Sequence, residues 1–158
     1  MFLKKVVNIV EYAVTELSKP EGFVKGDDFE NYLRANVFPK EDYDLLHRTA
    51  SYHGNKGDYI EASLEPDFTF RNRETGEVFK VEAKYRSGKY QGKVEWCKPN
   101  QLKRYQQIDR ESGPVLLALG VGGSPSSPDN VYLIPICEAK YTGFYDGFLE
   151  KYSVRKVS

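Results

Sequence analysis

The chain has 158 residues, of which 40% are hydrophobic and 29% charged, the balance of an ordinary globular protein with one domain and a single core. Basic and acidic residues number 23 each, so total charge argues neither for nor against nucleic acid, and only its distribution can inform. Cys97 and Cys137 stand far apart in no metal-ligand spacing and read as free thiols in a reducing compartment.

The chain opens MFLKKVVNIVEYAVTEL. Lys4, Lys5, Asn8, Glu11 and Glu16 interrupt the apolar stretch a signal peptide needs, and no run reaches membrane-spanning length. A cytoplasmic protein is the expectation. Leu3, Val6, Val7, Val10, Ala13, Val14 and Leu17 recur at helical spacing and predict an amphipathic helix ended by Ser18-Lys19-Pro20. A second helix is expected after Gly26, capped by Asp27 or Asp28, with Phe29, Leu33 and Val37 inward and Pro39 closing it. Residues 40–58 are polar, with Tyr43, Leu45 and Leu46 as anchors and His53 to Asp58 as turn chemistry. Tyr59 to Leu64 reads as a short strand. Asp67–Arg71 and Glu77–Tyr85 read as a hairpin joined through Arg73-Glu74-Thr75-Gly76. A glycine-rich, basic, flexible loop follows from Ser87 to Lys93. Asn100 to Ser112 is helical in composition, with Pro99 near its start and Gly113-Pro114 after it. Val115 to Val121 is a continuous apolar run, the mark of a buried central strand. Gly122 to Asp129 is a turn without a phosphate-loop lysine, and Val131 to Ile136 is a last strand. Tyr141, Phe144, Tyr145, Phe148, Leu149 and Tyr152 recur at helical spacing and cover a sheet face or an edge strand. The expected architecture is α/β, a sheet with helices on its faces.

Pairing symmetric about Glu74 and Thr75 sets Asp67 across from Glu82. Asp67, Thr69 and Arg71 then share a face with Val78, Lys80, Glu82 and Lys84, while Phe68, Phe70, Phe79, Val81 and Ala83 form the core face. Two carboxylates directly opposite repel, and a sheet does not choose that for stability. Two readings stand. In one the face is solvated and Glu82 pairs with Lys80 or Lys84. In the other Asp67 and Glu82 hold a divalent ion, magnesium or manganese, with the Ala83 carbonyl, and Lys84 serves the attacking water or the scissile phosphate.

Pro66-Asp67 followed by Glu82-Ala83-Lys84 resembles the PD-(D/E)xK motif of the nuclease superfamily that includes restriction endonucleases and Holliday junction resolvases. Gln101-Leu102-Lys103-Arg104-Tyr105 is similar to the Q-x-x-x-Y signature of its RecB-like branch. Gly26-Asp27-Asp28-Phe29-Glu30 is similar to G-x-x-(F/Y)-E, which supplies a further metal-site carboxylate. The resemblance spans about residues 26–136 and implies a restriction-endonuclease-like core with a mixed central sheet flanked by helices. It implies that Glu30 joins Asp67 and Glu82 at the metal, and that Gln101 sits at the active site. Each has a plainer reading: Glu30 as a helix-surface acid, Gln101 as a residue bonding its own helix backbone, and Tyr105 as a packing residue with a polar tip.

Residues 80–105 hold Lys80, Lys84, Arg86, Lys89, Lys93, Lys98, Lys103 and Arg104 against Glu82 and Glu95 alone. This local excess suits phosphate contacts. Arg86, Lys89, Lys93, Lys98, Lys103, Arg104 and Tyr105 are the expected nucleic-acid contacts, with Tyr90 able to stack on a base. His47 and His53 lie in no catalytic pattern and suit a surface or substrate-rim role. The reading is a magnesium- or manganese-dependent nuclease, DNA its expected substrate, with Asp67, Glu82, Lys84, Gln101 and Glu30 catalytic. Repair, recombination and restriction roles, and a homodimer, are left open. The alternative is a catalytically silent nucleic-acid-binding or scaffold domain of the same fold.

Overall fold

Among the described residues five strands form one mixed sheet, in the order Tyr43–Arg48, Phe68–Asn72, Val78–Arg86, Val115–Val121 and Asn130–Pro135, with a two-stranded ribbon of Lys93–Glu95 and Gly143–Tyr145 beside it. A computed structural model describes residues 21–49 and 65–154. The expected helix at Leu3 to Leu17, the turn at His53 to Asp58 and the strand at Tyr59 to Leu64 lie outside the described residues. Elements follow as α1 (Glu21–Asn36), β1 (Tyr43–Arg48), β2 (Phe68–Asn72), β3 (Val78–Arg86), β4 (Lys93–Glu95), α2 (Pro99–Ser112), β5 (Val115–Val121), β6 (Asn130–Pro135), β7 (Gly143–Tyr145) and α3 (Asp146–Leu149). Short 3-10 turns cover Ile136–Glu138 and Glu150–Tyr152.

The hairpin pairs as the alternation predicts. Phe68 faces Val81, Thr69 faces Lys80 and Phe70 faces Phe79. Asn72 closes the turn, its side-chain oxygen accepting from the Glu74 and Thr75 amides. β3 then runs parallel to β5, from Lys80 against Val115 to Arg86 against Val121. The apolar run of β5 is buried on both faces, as expected of a central strand.

Each face of the sheet has its own core. Phe29, Leu33, Phe38, Phe68, Phe70, Phe79 and Val81 pack between α1 and the hairpin. Trp96, Leu102, Tyr105, Leu117, Leu119, Ile134, Phe144 and Leu149 pack on the α2 side. Burial of each large side chain stabilises the fold by roughly 2–3 kcal/mol.

Five local expectations change. α1 does not start after Gly26: it begins at least as early as Glu21 and runs through Gly26, Asp27 and Asp28, because Phe29 and Leu33 bury its face and tertiary packing outweighs the weak helix propensity of glycine and aspartate. The polar stretch after Pro39 contains β1. It is an edge strand with one covered side, and a bulge between Leu45 and His47 throws Leu46 outward, 46% exposed. The Ser87–Lys93 loop contains a tight hairpin, Tyr90 to Lys93, and runs into β4. In the tail, Phe144 is buried as a strand residue of β7 rather than as part of a continuous helix, and Val131–Ile136 is not the last strand. Three-residue strands carry too few alternations to show in a sequence.

Candidate active site

β3 outruns β2. Their pairing ends at Phe68 with Val81, so Glu82 onward lies where the two strands part. Asp67 stands at the fork. Its Oδ2 accepts the Ala83 amide hydrogen at 2.8 Å, so a carboxylate replaces the missing strand partner. The Asp67 amide in turn donates to the Glu82 carboxylate. The N–H and C=O of a strand residue face the same neighbour. The Ala83 carbonyl therefore points to the side that Asp67 occupies.

Glu82 is 5% exposed, which rules out the solvated sheet face. Lys84, the next residue on that face, places Nζ 3.3 Å from Glu82 Oε2. Lys80 instead reaches the Thr69 hydroxyl at 3.5 Å. From the α2 side the Tyr105 hydroxyl donates to Glu82, while its ring stacks on Trp96 with centroids 5.9 Å apart. Glu30 comes from α1, one residue after the buried Phe29. Its Oε1 takes an ion pair from Arg48 Nη2 at 3.1 Å. Arg48 also lies over the Phe68 ring at 5.5 Å. Arg48 belongs to the unexpected strand β1, and no sequence motif marks it.

The three carboxylates feel one another. Burial and then the neighbouring Glu82 and Glu30 charges push the Asp67 carboxyl well above the usual range. Burial also raises Glu82, against the pull of Lys84 and the Tyr105 hydroxyl. Glu30 is pushed up to about 7, by burial first, with Arg48 opposing and Asp27 and Glu82 adding. Burial and the Glu82 charge raise the Tyr105 phenol, which stays a donor. Beside them the Cys97 thiol, raised to about 11 by burial, stays protonated. Cys97 and Cys137 are both free thiols, as expected.

Concentrated, desolvated negative charge with oxygen donors only fits a hard divalent cation such as magnesium or manganese. Among the described residues, no three acidic, histidine or cysteine side chains converge as a ready cage. Glu30 leans to Arg48 and Glu82 to Lys84. Magnesium does not need such a cage, since it is usually held by one or two carboxylates with waters and substrate phosphate.

The other expected residues divide. The Gln101 side-chain oxygen accepts the Lys98 amide hydrogen at 3.0 Å, so it caps the start of α2. Arg86 is a strut: Nε donates to the Glu95 carbonyl at 2.8 Å, Nη2 to the Trp96 carbonyl at 2.7 Å and Nη1 to the Tyr85 carbonyl at 2.8 Å. Lys89 pairs with Asp146, and Lys93 with Glu95 at 3.1 Å. The local basic excess is thus partly neutralised, in the case of Lys89 by an acid distant in sequence. Lys98 and Lys103 are exposed at the start of α2. Arg104 lies over the Tyr105 ring at 5.4 Å. His47 is exposed on β1, and His53 lies outside the described residues.

Solved structures share this fold. The chain superposes on Hjc, a Holliday junction resolvase from Archaeoglobus fulgidus, with a TM-score of 0.54 at 15% identity, over 83% of this chain and 91% of that one. The chain has the restriction-endonuclease-like fold. Identity this low carries the architecture alone. No protein-family model and no curated protein matches the sequence. Among the described residues no helix is long and apolar enough to cross a membrane.

Proposed function

We propose that the chain is a metal-dependent phosphodiester hydrolase acting on nucleic acid, with DNA as substrate, in the cytoplasm. One observation carries the reading: the buried Glu82 and the half-buried Glu30 and Asp67 repel one another, with Lys84 beside Glu82, at the fork of a restriction-endonuclease-like sheet. The DNA assignment is supported by the likeness to a Holliday junction resolvase.

Asp67, Glu82, Glu30 and the Ala83 carbonyl are the groups that would hold magnesium or manganese, which when bound lowers the pKa of its water and stabilises charge on the phosphodiester. The Tyr105 hydroxyl holds the Glu82 carboxylate in one rotamer. Arg48 anchors Glu30. The Lys84 ammonium orients the attacking water and offsets negative charge that develops on the phosphate oxygens during in-line displacement. Gln101 sets the start of α2, and Lys98 just before that helix and Lys103 and Arg104 on it meet phosphates.

A second reading, a nucleic-acid-binding domain without turnover, is favoured by one feature: each carboxylate already has a protein donor, Arg48, Lys84 or the Ala83 amide. Cleavage of a labelled panel (duplex, nicked duplex, single strand, flap, four-way junction, RNA) with magnesium or manganese separates the two. Cutting that needs metal and is lost in Asp67→Ala and Lys84→Ala is the expected result. Binding without cutting on every substrate would replace it with the second reading.

A further inference from the structure

Three of the large apolar side chains most open to solvent, Tyr90, Tyr141 and Tyr145, belong to or flank the β4-β7 ribbon, at 72%, 71% and 61% exposure. Two of them are placed in register. Tyr90 and Lys93 exchange both backbone hydrogen bonds, at 2.9 and 3.1 Å, across a two-residue turn. Gln91 and Gly92 have φ of 53° and 78°, the left-handed pair of a tight hairpin turn. On the other side Lys93 pairs with Tyr145. Directly opposite residues share a sheet face. Tyr90, Lys93 and Tyr145 therefore form one row across three adjacent segments, with the Lys93 ammonium 5.9 Å from the Tyr145 ring centre. A Cβ on Gly143 would lie 2.9 Å from Lys93 Cδ, so the glycine leaves the notch in which the lysine stem rests.

The row is firmly mounted on a ribbon that is tied to the end of β3. Val94 and Phe144, on its reverse face, are buried in the α2-side core. Trp96 donates from its backbone to Thr142 at 2.8 Å and from its indole to Tyr141 at 2.9 Å. Arg86 ties the Glu95 and Trp96 carbonyls to the end of β3, two residues beyond Lys84 on the same strand face, about 7 Å along the strand. The ribbon's cations are already neutralised, Lys93 by Glu95 and Lys89 by Asp146. A duplex backbone would find little spare charge there. Two open tyrosine rings flanking a cation instead suit the flat faces of unpaired bases.

We infer that the Tyr90–Lys93–Tyr145 row is a stacking platform for unpaired nucleobases, so that the substrate carries a single-stranded segment. The inference deepens the nucleic-acid reading above and rests on it. Its test is anisotropy binding in chelator, where nothing is cut, of a labelled single strand carrying a fluorescent base analogue and of a duplex of equal length. Wild type is compared with Tyr90→Ala/Tyr145→Ala and with Tyr145→Phe, whose ring still stacks. The double variant should lose roughly ten-fold or more in single-strand affinity, and its quenching of the base analogue, with duplex affinity changed less than about two-fold. Tyr145→Phe should bind as wild type. Unchanged single-strand affinity in the double variant, or equal loss on both substrates with an unaltered melt, would overturn the platform. Intact stacking in a protein that cuts nothing would overturn the nuclease reading and keep the platform.

Discussion

Glu30→Gln tests the electrostatic account of the site most directly. The side chain is 17% exposed, and its carboxyl is raised from 4.5 to about 7 by burial, despite Arg48. Between those values the folded protein keeps a proton that the unfolded chain has released. Folding then takes up protons, so stability is greatest below the unfolded value and falls as pH rises through the folded one. The raised pKa corresponds to about 3 kcal/mol in all, most of which is lost between about pH 5 and about pH 8. Asp67 and Glu82 are raised as well and add with the same sign. The assay is urea unfolding in chelator across that range. Wild type should weaken steadily, and Glu30→Gln should lose the Glu30 share of the slope, the histidines cancelling in the comparison. Magnesium or manganese should restore wild-type stability more at the alkaline end, where the carboxylates are charged, than at the acid end. A wild-type stability that is flat or rises across the range would refute the argument, as would equal slopes in the two proteins.

Tyr105→Phe keeps the stack on Trp96 but removes the donor to Glu82. It should cost about 1–3 kcal/mol in unfolding free energy and lower kcat with little change in KM, whereas a wild-type melt and rate would make Tyr105 a packing residue only. Gly120→Ala places a Cβ 2.4 Å from Phe29 Cε1, so the buried Phe29 ring must move, with α1 or by itself. We expect a loss of about 1–3 kcal/mol, partly recovered by adding Phe29→Leu, and additive double-mutant energies would contradict the contact. Arg86→Lys keeps the charge but not the fork that spans two carbonyls. Hydrogen exchange should quicken across Lys93–Trp96 with the sheet strands unchanged, and unaltered exchange there would mean the strut is unnecessary.

Much of this protein follows from local pattern. The alternation of Phe68 and Phe70 against Phe79 and Val81 sets the hairpin's register, because a slip of one residue would turn the phenylalanines to the wrong face. That register by itself puts Asp67 across from Glu82. The unbroken run Val115–Val121 names the central strand, and the Pro99 and Gly113 signals bound α2. Other features have no local signal. β1, β4 and β7 are short or covered on one side only, so their periodicity is too weak to read, and with β1 goes Arg48. Gln101 drew notice through its spacing to Tyr105, yet its use as a cap depends on where the Lys98 amide points. The basic count from Lys80 to Tyr105 is a property of the chain, but the Lys89 pairing with Asp146 is a property of the fold, which brings an acid from far along the sequence beside it. The same holds for the row of Tyr90, Lys93 and Tyr145: only strand pairing sets residues so distant on one face. Sequence alone determined which residues alternate and which acids face each other. Burial, the partners each charge finds and the surfaces left open depend on contacts between distant segments, and those form only when the sheet and its helices pack.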